Sequence, residues 1–203
     1  ILNYFRAQAP VVTTELEFGS AFQLLVATLL SAQCTDKRIN QITPELFKHY
    51  PTPQAMAKAE VEEVFEYIKT VSYPKHLVQM ARMLVEVFGG ETPSTTEELT
   101  RLPGVGRKTA NVLQAVWFNK PTMAVDTHVY RVSHRLGLVS KTASTPYKVE
   151  QELLRHIPEE DVNKAHHWLL LHGRYVCQSR IPKCTECVFD KICPKLFDGS
   201  KLE

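Results

Sequence analysis

Leu102-Pro103-Gly104-Val105-Gly106-Arg107-Lys108-Thr109-Ala110 is the stretch on which the reading of this chain turns. Pro103 pushes the residue before it out of the α region and so ends one helix. Gly104 and Gly106 can take positive φ and let another backbone come close. A second helix begins near Arg107. Its first N–H groups then point outward, where they can hold a phosphate without touching a base. The glycines alone require no more than a tight structural turn between two helices.

Lys108 adds chemistry to that turn. A cation in the first helical turn opposes the macrodipole by about 0.3 kcal/mol or more, so stability does not explain its placement. The positive helix end favours the neutral amine, the form that can act as a nucleophile. Chemistry alone leaves two roles open: a nucleophile, or a cation that pairs with a phosphate. Further on lies Met123-Ala124-Val125-Asp126-Thr127-His128. Asp126 precedes a helical pattern at Val129, Val132 and Leu136 and is placed to cap it. A carboxylate could also serve as a base and stabilise positive character developing on a sugar.

Outward from these motifs the periodicity is helical. Phe18-Gly19-Ser20 leads into an apolar helix from Phe22 to Leu30, and Thr43-Pro44-Glu45 is expected to start a short helix with proline in its first turn. Helical spacing returns at Val61–Ile68 and at His76–Phe88, which Gly89-Gly90 terminates. Ser94-Thr95-Thr96-Glu97 has capping-box spacing. Asn111–Phe118, Thr127–Leu136, Pro146–His156 and Asn163–Leu171 supply the later helices. No period-2 strand pair and no solenoid repeat emerges, so the expected class is all-α.

The 203 residues suit one domain or two small ones. A net charge of +2 permits a polyanionic partner without demanding one. No run approaches the roughly 18 apolar residues of a membrane span; Ala21–Leu30 is short and interrupted by Gln23 and Thr28. The chain begins at Ile1 without Met and shows no basic-then-apolar secretory pattern.

Four of the five cysteines form Cys177-x6-Cys184-x2-Cys187-x5-Cys193, a clustering that favours metal over a disulfide framework. Spacing alone leaves zinc and iron–sulfur open, although zinc motifs more often use two C-x-x-C pairs. The surrounding tail from Arg174 to Lys201 is poor in apolars and needs a staple to order it. Arg180, Lys183, Lys191 and Lys195 within it are either phosphate contacts or an ordinary solvated face. His166, His167 and His172 lie on an apolar helix, which favours core or DNA-facing roles over ligation. Cys34 reads as a small apolar filler.

Taken together, Leu29-Leu30-Ser31-Ala32-Gln33, the hairpin, Val125-Asp126-Thr127-His128, His167-Trp168-Leu169, His172-Gly173-Arg174 and the cysteine spacing resemble the endonuclease III family of helix-hairpin-helix DNA glycosylases. The resemblance covers nearly the whole chain. It implies two helical lobes flanking a DNA-binding cleft. One is a six-helix barrel with the hairpin, residues 14–120; the other joins residues 1–13 to 121–203 and carries a [4Fe–4S] cluster on Cys177, Cys184, Cys187 and Cys193. It implies that Lys108 attacks C1′ of an extruded, oxidised pyrimidine nucleotide, forms a Schiff base and breaks the strand by β-elimination, assisted by Asp126. Gln33 would fill the hole left in the duplex. Gly104, Val105, Gly106, Arg107, Arg180 and Lys183 would contact DNA.

The partner implied is double-stranded DNA with damaged bases or abasic sites, bound by a monomer with no membrane role. If the source is prokaryotic, the location implied is cytoplasmic and nucleoid-associated. Related adenine glycosylases usually lack the hairpin lysine and add a C-terminal domain, which favours the lyase branch here. The alternatives are a monofunctional glycosylase or abasic-site-only lyase, a non-catalytic DNA-binding module, and a zinc protein of similar shape. One departure stands out. Val71-Ser72-Tyr73-Pro74-Lys75-His76-Leu77 is several residues shorter than the family loop that bears a second wedge, so no wedge residue is assigned.

Overall fold

The computed structural model describes residues 1–9, 11–32, 34–69 and 74–196. Gln33 and Val71-Ser72-Tyr73 lie outside the described residues. Among those described, the chain forms α1 (Leu2–Gln8), α2 (Ala21–Leu30), α3 (Asp36–His49), α4 (Pro53–Ala57), α5 (Val61–Ile68), α6 (Pro74–Phe88), α7 (Thr96–Leu99), α8 (Arg107–Val116), α9 (Thr127–Arg135), α10 (Pro146–His156) and α11 (Glu159–Tyr175). It contains no strand there and is all-α. No described helix is long and apolar enough to cross a membrane. The chain divides into two compact units: Glu15–Asn119, and Ile1–Thr14 together with Lys120–Glu203.

The unit Glu15–Asn119 is built around α2. Ser20 caps that helix by accepting from the Gln23 N–H at 3.1 Å. Leu24, Leu25, Val26 and Ala27 follow one another with no exposure at all, so the middle of α2 is buried on every side, as a helix apolar all round must be. The remaining helices of the unit bury an apolar face, with Ile39, Leu46, Val64, Ile68, Met80, Leu84 and Leu113 in the same core. Cys34 packs partly buried against it, as a filler would.

Two local expectations need correction here. Pro44 does not start a helix: Thr35 caps α3, and Pro44 lies inside it. The run from Asp36 continues through the proline at the loss of one backbone donor. The cap of α7 is Thr95, one residue later than Ser94, since the sequence satisfies the same spacing twice. Thr95 accepts from the Glu98 N–H at 3.3 Å while its hydroxyl donates to the Glu98 carboxylate at 2.8 Å. Gly106 keeps a negative φ of −92°, whereas Gly104 takes +80°.

In the other unit α11 is longer than Asn163–Leu171. Glu159, Glu160 and Asp161 form its first turn and suit the positive end of the helix dipole. Phe5 of α1 stacks on Trp168 of α11 at 5.7 Å, and Phe189 from the cysteine tail meets Phe5 at 5.3 Å. The Trp168 indole donates to the Ala9 carbonyl at 2.8 Å, and Arg6 pairs with the buried Asp161. Helix α1, helix α11 and the tail thus share one aromatic core. Gly173 lets α9 and α11 approach: a Cβ there would stand 2.9 Å from His128 Cβ and 3.0 Å from Val132 Cγ2.

Candidate active site and cysteine pocket

The hairpin is assembled by short backbone bonds. Leu102 is buried and its carbonyl accepts from the Val105 N–H at 3.0 Å. Val105 is itself buried, so of the hairpin residues it offers neither side chain nor amide outward. Gly104 is doubly required: its φ is left-handed, and a Cβ would lie 3.2 Å from His76 Cβ on α6. Gly104, Gly106 and Arg107 are exposed and Lys108 is half-buried. Gly106 is the N-cap of α8, so no side chain closes the helix start, and no acidic residue occupies its first turn. Lys108 is the second residue of that open, basic start. The opposite face of α8 buries Thr109, Ala110 and Leu113 in the unit's core, which holds the turn in place.

Asp126 does cap α9: its Oδ1 accepts from the Val129 N–H at 2.7 Å, and the residue is half-buried. The segment leading to it, Met123–Val125, is buried. His166 of α11 donates from Nδ1 to the Ala124 carbonyl at 2.7 Å, a polar tie two residues before Asp126. His167, beside it at 4.8 Å between ring centroids, is buried, and that burial pushes its pKa down to about 3, with His166 adding to the effect. His172 is also buried and lowered by desolvation. All three histidines are therefore core residues. Burial likewise lowers His128, whose Nδ1 faces Arg131 at 3.1 Å.

Cys177, Cys184, Cys187 and Cys193 line one pocket of about 350 Å³, mouth included, on the same unit as Asp126. Burial raises the Cys187 thiol, and the sulfurs of Cys177, Cys193 and Cys184 add to the shift. Among the described residues no three His, Cys, Asp or Glu side chains are grouped closely enough to hold a single ion. Arg180, Lys183 and Lys191 around the pocket are exposed, while Lys195 pairs with Asp190 at 2.7 Å.

Two arginines that sequence reasoning passed over hold this tail. Arg131 donates to the carbonyls of Cys177 at 3.1 Å and Gly173 at 2.9 Å. Arg135 donates to the carbonyls of Gln178 at 2.7 Å and Ser179 at 3.0 Å, and to Cys177 Sγ at 3.6 Å. Their signal in the sequence is an i, i+4 pair of cations on the helix that Asp126 starts.

The pattern of HhH-GPD superfamily base excision DNA repair proteins matches residues 26–159. The chain belongs to that superfamily. Endonuclease III of Haemophilus influenzae is 43% identical over 197 residues, covering 95% of this chain and 92% of the relative. Endonuclease III of Escherichia coli strain K12 is 44% identical over the same length and coverage. A solved structure of a trapped endonuclease III–DNA covalent intermediate matches with a TM-score of 0.90 at 37% identity, covering 96% of this chain and 92% of that one. A thermostable thymine-DNA glycosylase, 21% identical with a TM-score of 0.83 over 95% of this chain and 91% of its own, shares the HhH-GPD fold.

Proposed function

We propose that this HhH-GPD protein removes oxidised pyrimidines and cleaves the strand through an amine at Lys108. The coarser activity is that of its family: a base excision repair DNA glycosylase and AP lyase. The observation that carries the finer reading is the placement of Lys108, half-buried in the first turn of a helix with a glycine cap and no acid beside it. Local stability does not account for a lysine at such a start, whereas a nucleophilic role does.

Lys108 Nζ would attack C1′ of the extruded nucleotide, and the N-glycosidic bond would break with the base leaving as an anion that takes a proton. Ring opening gives an imine between Nζ and C1′. Loss of a C2′ proton then expels the 3′ phosphate, and water releases the lysine. Asp126 would accept the amine's proton and offset the positive charge that develops on the sugar. Its Oδ1 keeps the helix cap throughout. Gly104, Gly106 and Arg107 would hold the DNA phosphate at the hairpin, and the backbone of Val105 would support their turn. Arg180 and Lys183 would add phosphate contacts from the tail. Gln33 is proposed to fill the vacated position in the duplex. The double-stranded DNA partner follows from the DNA-bound endonuclease III structures that this fold matches.

For the cysteine pocket we propose a [4Fe–4S] cluster. Four thiols lining one pocket are the donor set such a cluster takes, and their x6, x2, x5 spacing lacks the second C-x-x-C pair more usual for zinc. When bound, the cluster supplies the crosslink that orders the tail and so steadies the exposed cations on it.

The test is borohydride trapping. Incubated with a duplex containing an oxidised pyrimidine, the protein should yield a covalent adduct, and Lys108→Gln should yield none. An intact protein that releases base without an adduct is monofunctional, and one that only binds DNA is a non-catalytic module.

A further inference from the structure

The sulfurs that line the pocket differ in what stands beside them. His172, in the last turn of α11, presents Nε2 to Cys187 Sγ at 3.7 Å, a distance at which a large sulfur acceptor still takes a hydrogen bond. Its imidazole is buried and gripped by two rings, Phe5 at 5.9 Å and Phe189 at 5.4 Å. Its carbonyl accepts from the Cys177 N–H at 2.7 Å. One residue is thus tied to the first cysteine through its backbone and to the third through its side chain.

We infer that His172 is a positioning residue for the cluster: it donates Nε2–H to the Cys187 sulfur and raises the cluster's reduction potential. The inference rests on the proposed cluster. A thiolate bound to iron is an acceptor only, so the ring nitrogen that faces it must be the one that carries hydrogen. Hydrogen bonds to ligand sulfurs stabilise the more negative, reduced form and so set the potential upward. Arg135 also reaches a sulfur, that of Cys177, but it anchors Gln178 and Ser179 as well, and removing it would disturb the loop itself. His172 can be replaced without touching those ties.

The experiment compares the iron-loaded wild type with His172→Phe, which keeps the aromatic contacts and loses the donor, and His172→Gln, which keeps an Nε2 donor. Absorption near 400 nm with matching iron and sulfide content establishes the cluster first. Voltammetry should then place His172→Phe at a more negative potential. The reduced-to-oxidised ratio should fall by up to about tenfold, equivalent to about 59 mV for one electron. His172→Gln should lie between that variant and wild type. An unchanged potential in a fully loaded His172→Phe protein, or equal shifts in the two variants, overturns the role of His172 and leaves the cluster standing. Protein with neither iron nor the absorption overturns both. Should His172→Phe fail to load, pulsed EPR on reduced wild type labelled with ¹⁵N-histidine decides. Coupling to a histidine nitrogen with an exchangeable proton supports the bond, and no such coupling refutes it.

Discussion

Two helix starts carry the proposed chemistry, and they are built in opposite ways. At α9 the N-cap is Asp126, whose carboxylate closes the helix by accepting from Val129. At α8 the N-cap is Gly106, no side chain closes the start, and Arg107 and Lys108 follow where acids would be favourable. The difference teaches where function can be read. A residue that works against local stability, such as Lys108, announces a second purpose. A residue that also serves local stability, such as Asp126, conceals it.

The largest expected effect breaks the α8 side of this comparison. Lys108→Gln should lower strand cleavage by on the order of 10³-fold or more, as loss of a nucleophile does, while raising stability by a few tenths of a kcal/mol. Measured on a preformed abasic duplex, retained cleavage would transfer the nucleophile elsewhere. On the α9 side the two purposes of Asp126 can be separated. Asp126→Asn keeps a capping oxygen and should lower base release by on the order of 10²-fold at near-native stability. Asp126→Ala should show the same loss plus about 1 kcal/mol of destabilisation in denaturant unfolding. Equal stability of the two variants would mean the cap is energetically idle.

Acid should act on the two starts unequally. His167 sits beside the His166–Ala124 tie, two residues before Asp126, and its pKa is held near about 3 by burial, against an ordinary 6.5. The folded state thus binds this proton less readily than the unfolded chain does. The contribution of a neutral His167 is complete above about pH 6.5 and is lost as pH falls from there toward 3. By pH 5 the loss is about 2 kcal/mol. Denaturant unfolding at pH 7 and pH 5 should show at least that drop, to which the buried His172 and the half-buried His128 also contribute, and His167→Gln should reduce it by about 2 kcal/mol. Amide exchange should rise in α9 and α11 before it rises in α8. Equal loosening of both units would remove the distinction.

How much of this was legible in the sequence varies with the physics that decides each element. Val61–Ile68 and Pro146–His156 match their expected bounds because local signals agree there, including the Thr145 cap with proline next to it. Around Pro44 a local rule misleads: proline favours a first turn, but the helix begins at Asp36, capped by Thr35, and runs through it. The two capping registers at Ser94 and Thr95 are equivalent on paper, and only packing selects one. The hairpin, the capping role of Asp126 and the grouping of the cysteines were readable from spacing. Arg131, Arg135 and the contact of His172 with Cys187 were not, since each spans 15 to 46 residues of sequence and depends on how α9 and α11 meet the tail.

Smaller effects sharpen the α8 side. Gly104→Ala should destabilise by about 1–2 kcal/mol, because it forces a side chain into left-handed backbone and sets its Cβ 3.2 Å from His76. Gly106 is different. Its φ of −92° and ψ of 173° are those of an ordinary cap, and a Cβ there meets nothing within 4 Å. Gly106→Ser should therefore fit and stabilise the protein by a few tenths of a kcal/mol, about what a serine cap adds over glycine. The same hydroxyl would accept from the amides proposed to hold a phosphate, so DNA affinity should fall even as stability rises. Gly106→Asp should weaken binding further through its charge, and more so at low salt, which separates repulsion from the loss of amides. Should both variants gain stability and bind DNA as well as the wild type, the open start of α8 would have no part in recognition, and the unusual position of Lys108 would need another cause.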